Sequence, residues 1–443
     1  MADPGPKLNL RTMHRTPYGW PLRQLRVPQA HRTTEGSPEI VVAVIDLGYN
    51  PHPHHAGHLW VNPKPRRGDV HGWDCADNDA SLQPTGPEAN TPYYRDHHCF
   101  IVGEVIACAP QCPVMIVRTG YRAPQDNWWQ AVDYAVAHGA RVLVMPHGFL
   151  THGRGDGDVP LFYRGTDFSA PLDNPRLRRS LEGAWEAGCL FCSGVIDNRG
   201  RRAAFATTAL DAVMAVGSAS RHGGAANIAA DADYVEVAAP AGDRGTGDDP
   251  DRVWSTGGHG GYVASEGGCM ASGFAGGVAA LVWSRFPELT NAQLRQVLRN
   301  TAGNENWDSK LGWGLLDAAR AVSLKPERLG QDLRVDAQAC RLERKRGRHV
   351  LHVSLANKGA FDIARALVVV YNGDPTRPAA PRATWAQPRT LLTRQLGHAI
   401  APVRGLHGAA VAVTLGEVAE KLWVQACVLD HGGSESIETK RVL

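Results

Sequence analysis

The feature that most constrains this chain is a repeated alternation of short, wholly apolar runs with amphipathic segments. "EIVVAVID" (39–46), "CPVMIVRT" (112–119), "ARVLVMPHG" (140–148), "CLFCSGVI" (189–196) and "AVMAVGSA" (212–219) are nearly free of polar residues. A strand with one wet face alternates apolar with polar, so runs like these need cover on both faces. Between them, "DNWWQAVDYAVAHG" (126–139) and "PRLRRSLEGAWEAG" (175–188) carry helical spacing. Each stops at a glycine, the residue that best tolerates the left-handed turn past a helix end. This order predicts an α/β fold, a parallel sheet with helices on both faces. Ligands of such sheets collect at the carboxyl ends of the strands, and Asp46 stands at one of these ends.

Further on, "TNAQLRQVLRNTA" (290–302) reads as an amphipathic helix capped by Thr290, and "LGWGLLDAARAV" (311–322) as a turn running into a last helix. After about residue 328 the texture changes. "LRVDAQACRLER", "HVLHVSLANKG", "ALVVVYNGD", "GAAVAVTLG" and "KLWVQACVLDHGG" alternate apolar with polar and are punctuated by Gly, Asn, Asp and Pro. That pattern predicts an antiparallel β-sandwich over 328–443, with "GDPTRPAAPRATWAQP" (373–388) as a long loop in it. The expected organisation is an arm over 1–38 packing on an α/β domain over 39–327, then the sandwich.

Bulk composition narrows the function. Hydrophobic residues at 43% and charged residues at 21% indicate an ordinary folded core rather than disorder. The net charge is only +3 with scattered Lys and Arg, and the one basic run, "RLERKRGRH" (341–349), reads as a solvated hairpin tip. No nucleic-acid partner is expected. No stretch reaches the ~20 apolar residues of a membrane helix. The N-terminus lacks the charged-then-apolar layout of a secretory leader, so a cytoplasmic location is expected. Nine cysteines is an odd number, and in a reducing compartment they should be free thiols. Cys108 with Cys112 and Cys189 with Cys192 have metal-like spacings but read as buried small hydrophobes. "HPHH" (52–55) reads as a surface histidine cluster, and "DNDASLQ" (77–83) as a surface turn without the glycine and glutamate of a calcium loop. No metal and no cofactor is expected.

Three residues stand where chemistry can be done. Asp46 ends the first core strand; His97, in "RDHHCFIVGEVIACAP", begins a buried helix; Cys269, in "EGGCMASGFAGGVAALVW", begins another. Each sits where a side chain can enter a cleft while its element stays packed. In this order and with these neighbours they resemble the subtilisin-like (subtilase, S8-type) peptidase family. "VVAVIDLG" is similar to its aspartate strand, "HHCFIVGEVIA" to its histidine helix and "GGCMASGFAGGVAAL" to its nucleophile helix, with likeness over roughly residues 18–325. The resemblance implies a three-layer subtilisin-like fold, to which the C-terminal segment adds an immunoglobulin-like (Ig/CARDB-like) sandwich. It also implies an Asp46–His97–Cys269 triad, with cysteine where the family places serine. A helix N-terminus and a neighbouring imidazolium both favour a thiolate. His97 would then handle the proton while Asp46 fixes its tautomer.

The departures from the family pattern bear on activity. Leu47 replaces a hydroxyl residue after the aspartate, removing a possible hydrogen bond to Asp46. His98 and Cys99 replace Gly and Thr, and Gly273 and Phe274 replace Pro and His. The oxyanion asparagine of the family aligns with Asp197 or, with a one-residue slip, Asn198. Loss of such a donor costs about a hundredfold or more in turnover. The segment that pairs with an extended peptide in the family corresponds to Pro146, His147 and Gly148, with a second edge near Gly120. Three functions remain open at this point. The first is an endopeptidase with an acyl-enzyme on Cys269, and the second an acyltransferase, ligase or cyclase using the same thioester. The third is an inactive peptide-binding module. The expected partners are a peptide or protein substrate and a protein held by the sandwich.

Overall fold

The computed structural model describes residues 8–120, 126–146, 175–195, 207–208, 210–245, 251–372, 375, 395–416, 421–429 and 437–442. The chain divides into two units, Met1–Ser323 and Leu324–Leu443. In the first, the apolar runs become strands: β1 (Val41–Asp46), β2 (Gly72–Asp74), β3 (Val114–Arg118), β4 (Ala140–Val144), β5 (Leu190–Gly194), β6 (Val213–Ala219) and β7 (Val237–Pro240). They form one sheet in the order β2-β3-β1-β4-β5-β6-β7, parallel throughout. β1 lies between β3 and β4, so the chain builds one wing and then crosses back to build the other. The carboxyl end of β1 is therefore a topological switch point, where loops part and leave a crevice.

The helices are α1 (Trp20–Gln24), α2 (Val27–Ala30), α3 (Pro92–Cys108), α4 (Asp126–Ala137), α5 (Pro175–Glu186), α6 (Gly268–Arg285), α7 (Asn291–Thr301) and α8 (Ala318–Val322). Strand parity assigns the layers. Ala43, Ile45, Met115, Val117, Leu143 and Phe191 point to one face, where they make a core with α4 and α5. The intervening residues, Val42, Val44 and then Asp46, point to the face that α3 and α6 cover. Both of those helices are apolar nearly all round and almost wholly buried, as such helices must be. α7 starts with the expected cap, a reciprocal box between Thr290 and Gln293.

A hairpin, β8 (Val253–Thr256) and β9 (Tyr262–Ser265), leads into α6. It clamps α3 from the side: the Ser255 hydroxyl donates to the Phe100 carbonyl at 2.7 Å and the Thr256 hydroxyl to that of Cys99 at 2.8 Å. The same hairpin overturns one expectation from sequence. His52 and His55 are no surface cluster; they are 4% and 0% exposed, because the hairpin packs over their loop. His52 Nε2 lies 3.1 Å from the Gly261 carbonyl, and His55 is held between the Tyr49 and Thr256 hydroxyls at 3.0 and 2.9 Å. Burial, and then the neighbouring histidines, hold His55 well below the usual imidazole range. Among the described residues, no three His, Cys, Asp or Glu side chains are arranged to hold a metal ion, and no helix is long and apolar enough to cross a membrane.

The second unit is a pair of antiparallel sheets. One contains β10 (Leu333–Val335), β11 (Arg341–Lys345), β12 (Arg348–Asn357) and β15 (Gly408–Leu415); the other contains β13 (Ile363–Tyr371), β14 (Gln395–Val403), β16 (Trp423–Val428) and β17 (Ile437–Arg441). Their inner faces meet through Leu351, Val353 and Leu355 on one side and Val368, Val370 and Val424 on the other, a sandwich core. The basic run is the β11–β12 hairpin. Arg346 and Gly347 turn it at φ 50° and 78°, the backbone of a tight two-residue turn.

Candidate active site

Asp46 is the last residue of β1, so strand parity aims its carboxylate at α3. Oδ1 accepts the Leu47 backbone N–H at 2.7 Å and Oδ2 lies 2.8 Å from His97 Nδ1. The hydrogen bond expected to vanish with Leu47 is thus supplied by that residue's own backbone. Thr119 fixes the strand end, its N–H donating to the Asp46 carbonyl at 2.8 Å. Both side chains of the pair are sealed, with 0% of Asp46 and 1% of His97 exposed.

His97 sits in the second turn of α3. Burial by itself would lower its affinity for a proton, but the charge and hydrogen bond of Asp46, followed by those of the Cys269 sulfur, lift it to about 10. The protonated form of the ring is thereby favoured.

Cys269 is the second residue of α6, where backbone N–H groups have no acceptor inside the helix. The glycines before it are dictated by packing. Gly267 has φ 148°. A Cβ on Gly268 would stand 2.4 Å from the Val195 carbonyl oxygen, and one on Gly194 would stand 1.9 Å from that of Gly268. The end of β5 and the start of α6 thus meet backbone to backbone. Cys269 is half-buried, whereas Cys75, Cys99, Cys108, Cys112, Cys189, Cys192 and Cys340 are buried. Burial pushes those seven thiols up, Cys75 to about 12 and Cys189 to about 11, the condition of an inert structural cysteine.

Three further residues belong to the site and are missed by motif reading. Tyr93, four residues before His97, lays its ring 5.0 Å from the imidazole and stands within electrostatic reach of the Cys269 sulfur. The residue is 48% exposed. Asp96 ties the start of α3 to the β8–β9 turn by accepting the Gly258 N–H at 2.8 Å. Glu104, two turns below His97 on α3, is 1% exposed, and neither carboxyl oxygen has a hydrogen-bond partner. It packs against α6 where a Cβ on Gly273 would lie 2.1 Å from Oε2. Burial first, then the Cys269 sulfur, raise Glu104 well above the usual carboxylate range, which favours its neutral form. Its sequence signal is a lone charge in the apolar run "FIVGEVIAC".

Of the other residues singled out from sequence, Gly120 lies just past β3 and donates its N–H to the Leu47 carbonyl at 3.2 Å, next to Asp46. Pro146 is buried just past β4, after Met145, whose carbonyl accepts the Ser193 hydroxyl at 2.9 Å. His147, Gly148, Asp197 and Asn198 lie outside the described residues.

The Subtilase family model matches residues 37–314, a span that contains Asp46, His97 and Cys269. The chain belongs to the subtilase family. Relatives include a thermostable alkaline protease of Halalkalibacterium halodurans, 34% identical over 146 residues, which are 33% of this subtilase and 38% of that protein. Mycosin-4 of Mycobacterium tuberculosis is 35% identical over 118 residues, 26% of each chain. This subtilase therefore aligns with well under half the length of either. Among solved structures, a lanthipeptide protease superposes with TM-score 0.57 at 20% identity, covering 69% of this chain and 94% of that one. MycP3 protease of the type VII (ESX-3) secretion system gives 0.55 at 17%, covering 72% and 90%. At such identities these two speak for the fold alone.

Proposed function

We propose that this subtilase is a peptidase that cleaves peptide bonds through an acyl-enzyme on Cys269, with His97 and Asp46 as its partners. One observation carries the reading: His97 Nδ1 lies 2.8 Å from the buried Asp46 carboxylate, which with the Cys269 sulfur favours the protonated ring. A protonated imidazole is useless as a base toward a hydroxyl. Beside a sulfur it is the state expected once the thiol proton has moved to the ring, and it makes His97 a ready general acid.

The steps follow. The Cys269 thiolate attacks the scissile carbonyl carbon, and the carbonyl π pair moves onto oxygen. When the pair returns, the C–N bond breaks and His97 gives its Nε2 proton to the departing amine. The neutral imidazole then takes a proton from water, which attacks the thioester; the acid leaves and the thiolate–imidazolium pair is restored. The oxyanion would meet the Cys269 backbone N–H and a donor from Asp197, if protonated, or Asn198. An extended substrate would pair with Pro146, His147 and Gly148 on one side and with the Gly120 edge on the other. A protease acting on peptides such as the lanthipeptide neighbour is the kind of enzyme this arrangement supports. We place it in the cytoplasm and assign the sandwich to holding a protein partner.

The test is to incubate the full chain with a peptide library and an added amine, then identify the species by mass spectrometry. A thioester on Cys269 that resolves to free acids supports the peptidase. New amides instead of acids make it an acyltransferase or ligase. If no adduct forms on Cys269 with any peptide or electrophilic peptide, the cleft is a binding module and the proposal fails.

A further inference from the structure

We propose that His55 is a positioning residue for the active site: through a buried hydrogen-bond relay from Tyr49 to Thr256 it holds the β8–β9 hairpin on α3 beside His97. The relay closes only while the His55 ring is neutral with its proton on Nε2, so the hairpin is an acid-sensitive latch. The inference deepens the peptidase reading and rests on it for the role of His97; the relay itself is independent of the reaction.

The proton positions follow from the partners. The Thr256 hydroxyl lies 2.8 Å from the Cys99 carbonyl oxygen, which can only accept, so the one hydroxyl proton is used there. Toward His55 Nε2, 2.9 Å away, Thr256 must then accept, and Nε2 carries a hydrogen. The other ring nitrogen, Nδ1, lies 3.0 Å from the Tyr49 hydroxyl. In the neutral ring Nδ1 is the acceptor and Tyr49 donates. A second ring proton would sit on Nδ1 and take that acceptor away from Tyr49. Tyr49 is 3% exposed and His55, Thr256 and Cys99 are 0% exposed, so water cannot repair the broken chain. An imidazolium at this place is therefore opposed both by burial and by a lost hydrogen bond.

The titratable groups around the ring add to that opposition. His52, His54 and His58 come from its own loop and His98 from α3; the His52 ring is 5.2 Å from that of His55. Cys99 of α3 lies near Tyr49, and Tyr262 of β9 packs on His52 and His54. A proton gained by any of these histidines repels one on His55.

The latch reaches both halves of the site. Thr256 and Ser255 bond the carbonyls of Cys99 and Phe100, just past His97 on α3, and Asp96, just before it, accepts the Gly258 N–H at 2.8 Å. The fit has no slack: a Cβ on Gly103 would stand 2.3 Å from the Thr256 hydroxyl oxygen, and one on Gly258 would stand 2.4 Å from the Arg95 carbonyl oxygen. β9 ends at Ser265, close before Cys269 in the first turn of α6.

The experiment uses the full chain. Long-range proton–nitrogen NMR reads the His55 tautomer, and hydrogen exchange by mass spectrometry, corrected for intrinsic rates, reads protection of the hairpin amides from pH 7.5 to 4.5. The expected result is a neutral Nε2–H ring at pH 7.5. Below about pH 6.5, hairpin protection should fall by up to about tenfold per pH unit while β1 and β4 keep theirs. Thr256→Val, which matches the shape without the hydroxyl, should lower hairpin protection about tenfold at pH 7.5 and shift the His97 Nδ1–H resonance; Thr256→Ser should restore both. His55→Gln, which cannot titrate, should flatten the pH dependence; should it not fold, the parent tautomer and the Thr256 pair decide. A His55 proton on Nδ1 instead of Nε2 overturns the proposal. So does hairpin protection no steeper in pH than that of β1 and β4, or a His97 resonance unmoved by Thr256→Val. None of these readings needs a substrate, so failure to cleave any peptide defeats the peptidase reading and leaves the relay standing.

Discussion

Replacing Glu104 by Gln should remove a pH-dependent penalty on folding. The acid is 1% exposed with both oxygens unpartnered, and burial, reinforced by the Cys269 sulfur, raises its folded-state pKa far above the ordinary 4.5. In the unfolded chain it ionises near that ordinary value. A raised folded pKa means the native state is favoured fully below 4.5 and loses that advantage as pH rises toward the folded value. While the folded acid keeps its proton, the loss is about 1.4 kcal/mol per pH unit. As pH rises from 5.5 to 7.5 the parent should therefore lose stability that Glu104→Gln, neutral in both states, does not lose. Urea unfolding of the two proteins at pH 5.5, 6.5 and 7.5 measures the difference. Parallel lines would mean that Glu104 ionises in the folded protein, and the reasoning would be wrong.

The remaining predictions rest on single contacts. By NMR, the His97 ring should stay protonated until about pH 10, so its pairing with Asp46 contributes fully below the usual imidazole value and is lost as pH climbs through about 10; Cys269→Ala should lower that midpoint. His97→Ala should cut peptide turnover by about a hundred- to ten-thousandfold, as read by steady-state kinetics. Gly273→Ala puts a methyl 2.1 Å from Glu104 Oε2 and should cost about 1–3 kcal/mol, a loss that Glu104→Ala relieves in a double-mutant cycle. Arg118, 2% exposed, holds Asp77 at 2.7 Å and Asp74 closer still; Asp74→Ala leaves its charge short of a buried partner and should cost about 3–5 kcal/mol in urea unfolding.

What sequence made visible follows from how strongly each element is patterned. β1, β3, β4, β5 and β6 are apolar over five to seven residues and are legible, as is the placing of Asp46, His97 and Cys269 at the starts or ends of packed elements. β2 and β7 have three and four residues, too few for any period to appear. Tyr93 and Asp96 matter through neighbours on α6 and the β8–β9 turn, which are far away in sequence, and Glu104 carried a signal that no motif absorbs. The histidines at 52 and 55 were misread because exposure was inferred from polarity. The Tyr49 and Thr256 hydroxyls that make their burial tolerable come from elsewhere in the chain.

Charge accounting around α3 explains why these departures from the family pattern occur together. Asp46 already places one buried carboxylate beside His97, so negative charge is concentrated where both side chains are sealed. A second carboxylate within reach of the sulfur would add to that charge where Coulomb energies are least screened. Glu104 is tolerable there only as a neutral acid, and it has space only because residue 273 is glycine instead of the family's proline. The bond that Leu47 cannot make from a side chain is made by its backbone. If sulfur is the organising charge, substituting Cys269→Ala should lower the His97 midpoint and also ease Glu104 toward ionisation, flattening the parent's pH slope in urea. A slope unchanged by loss of the sulfur would mean that burial alone sets Glu104, and the residues around this site would have to be explained one at a time.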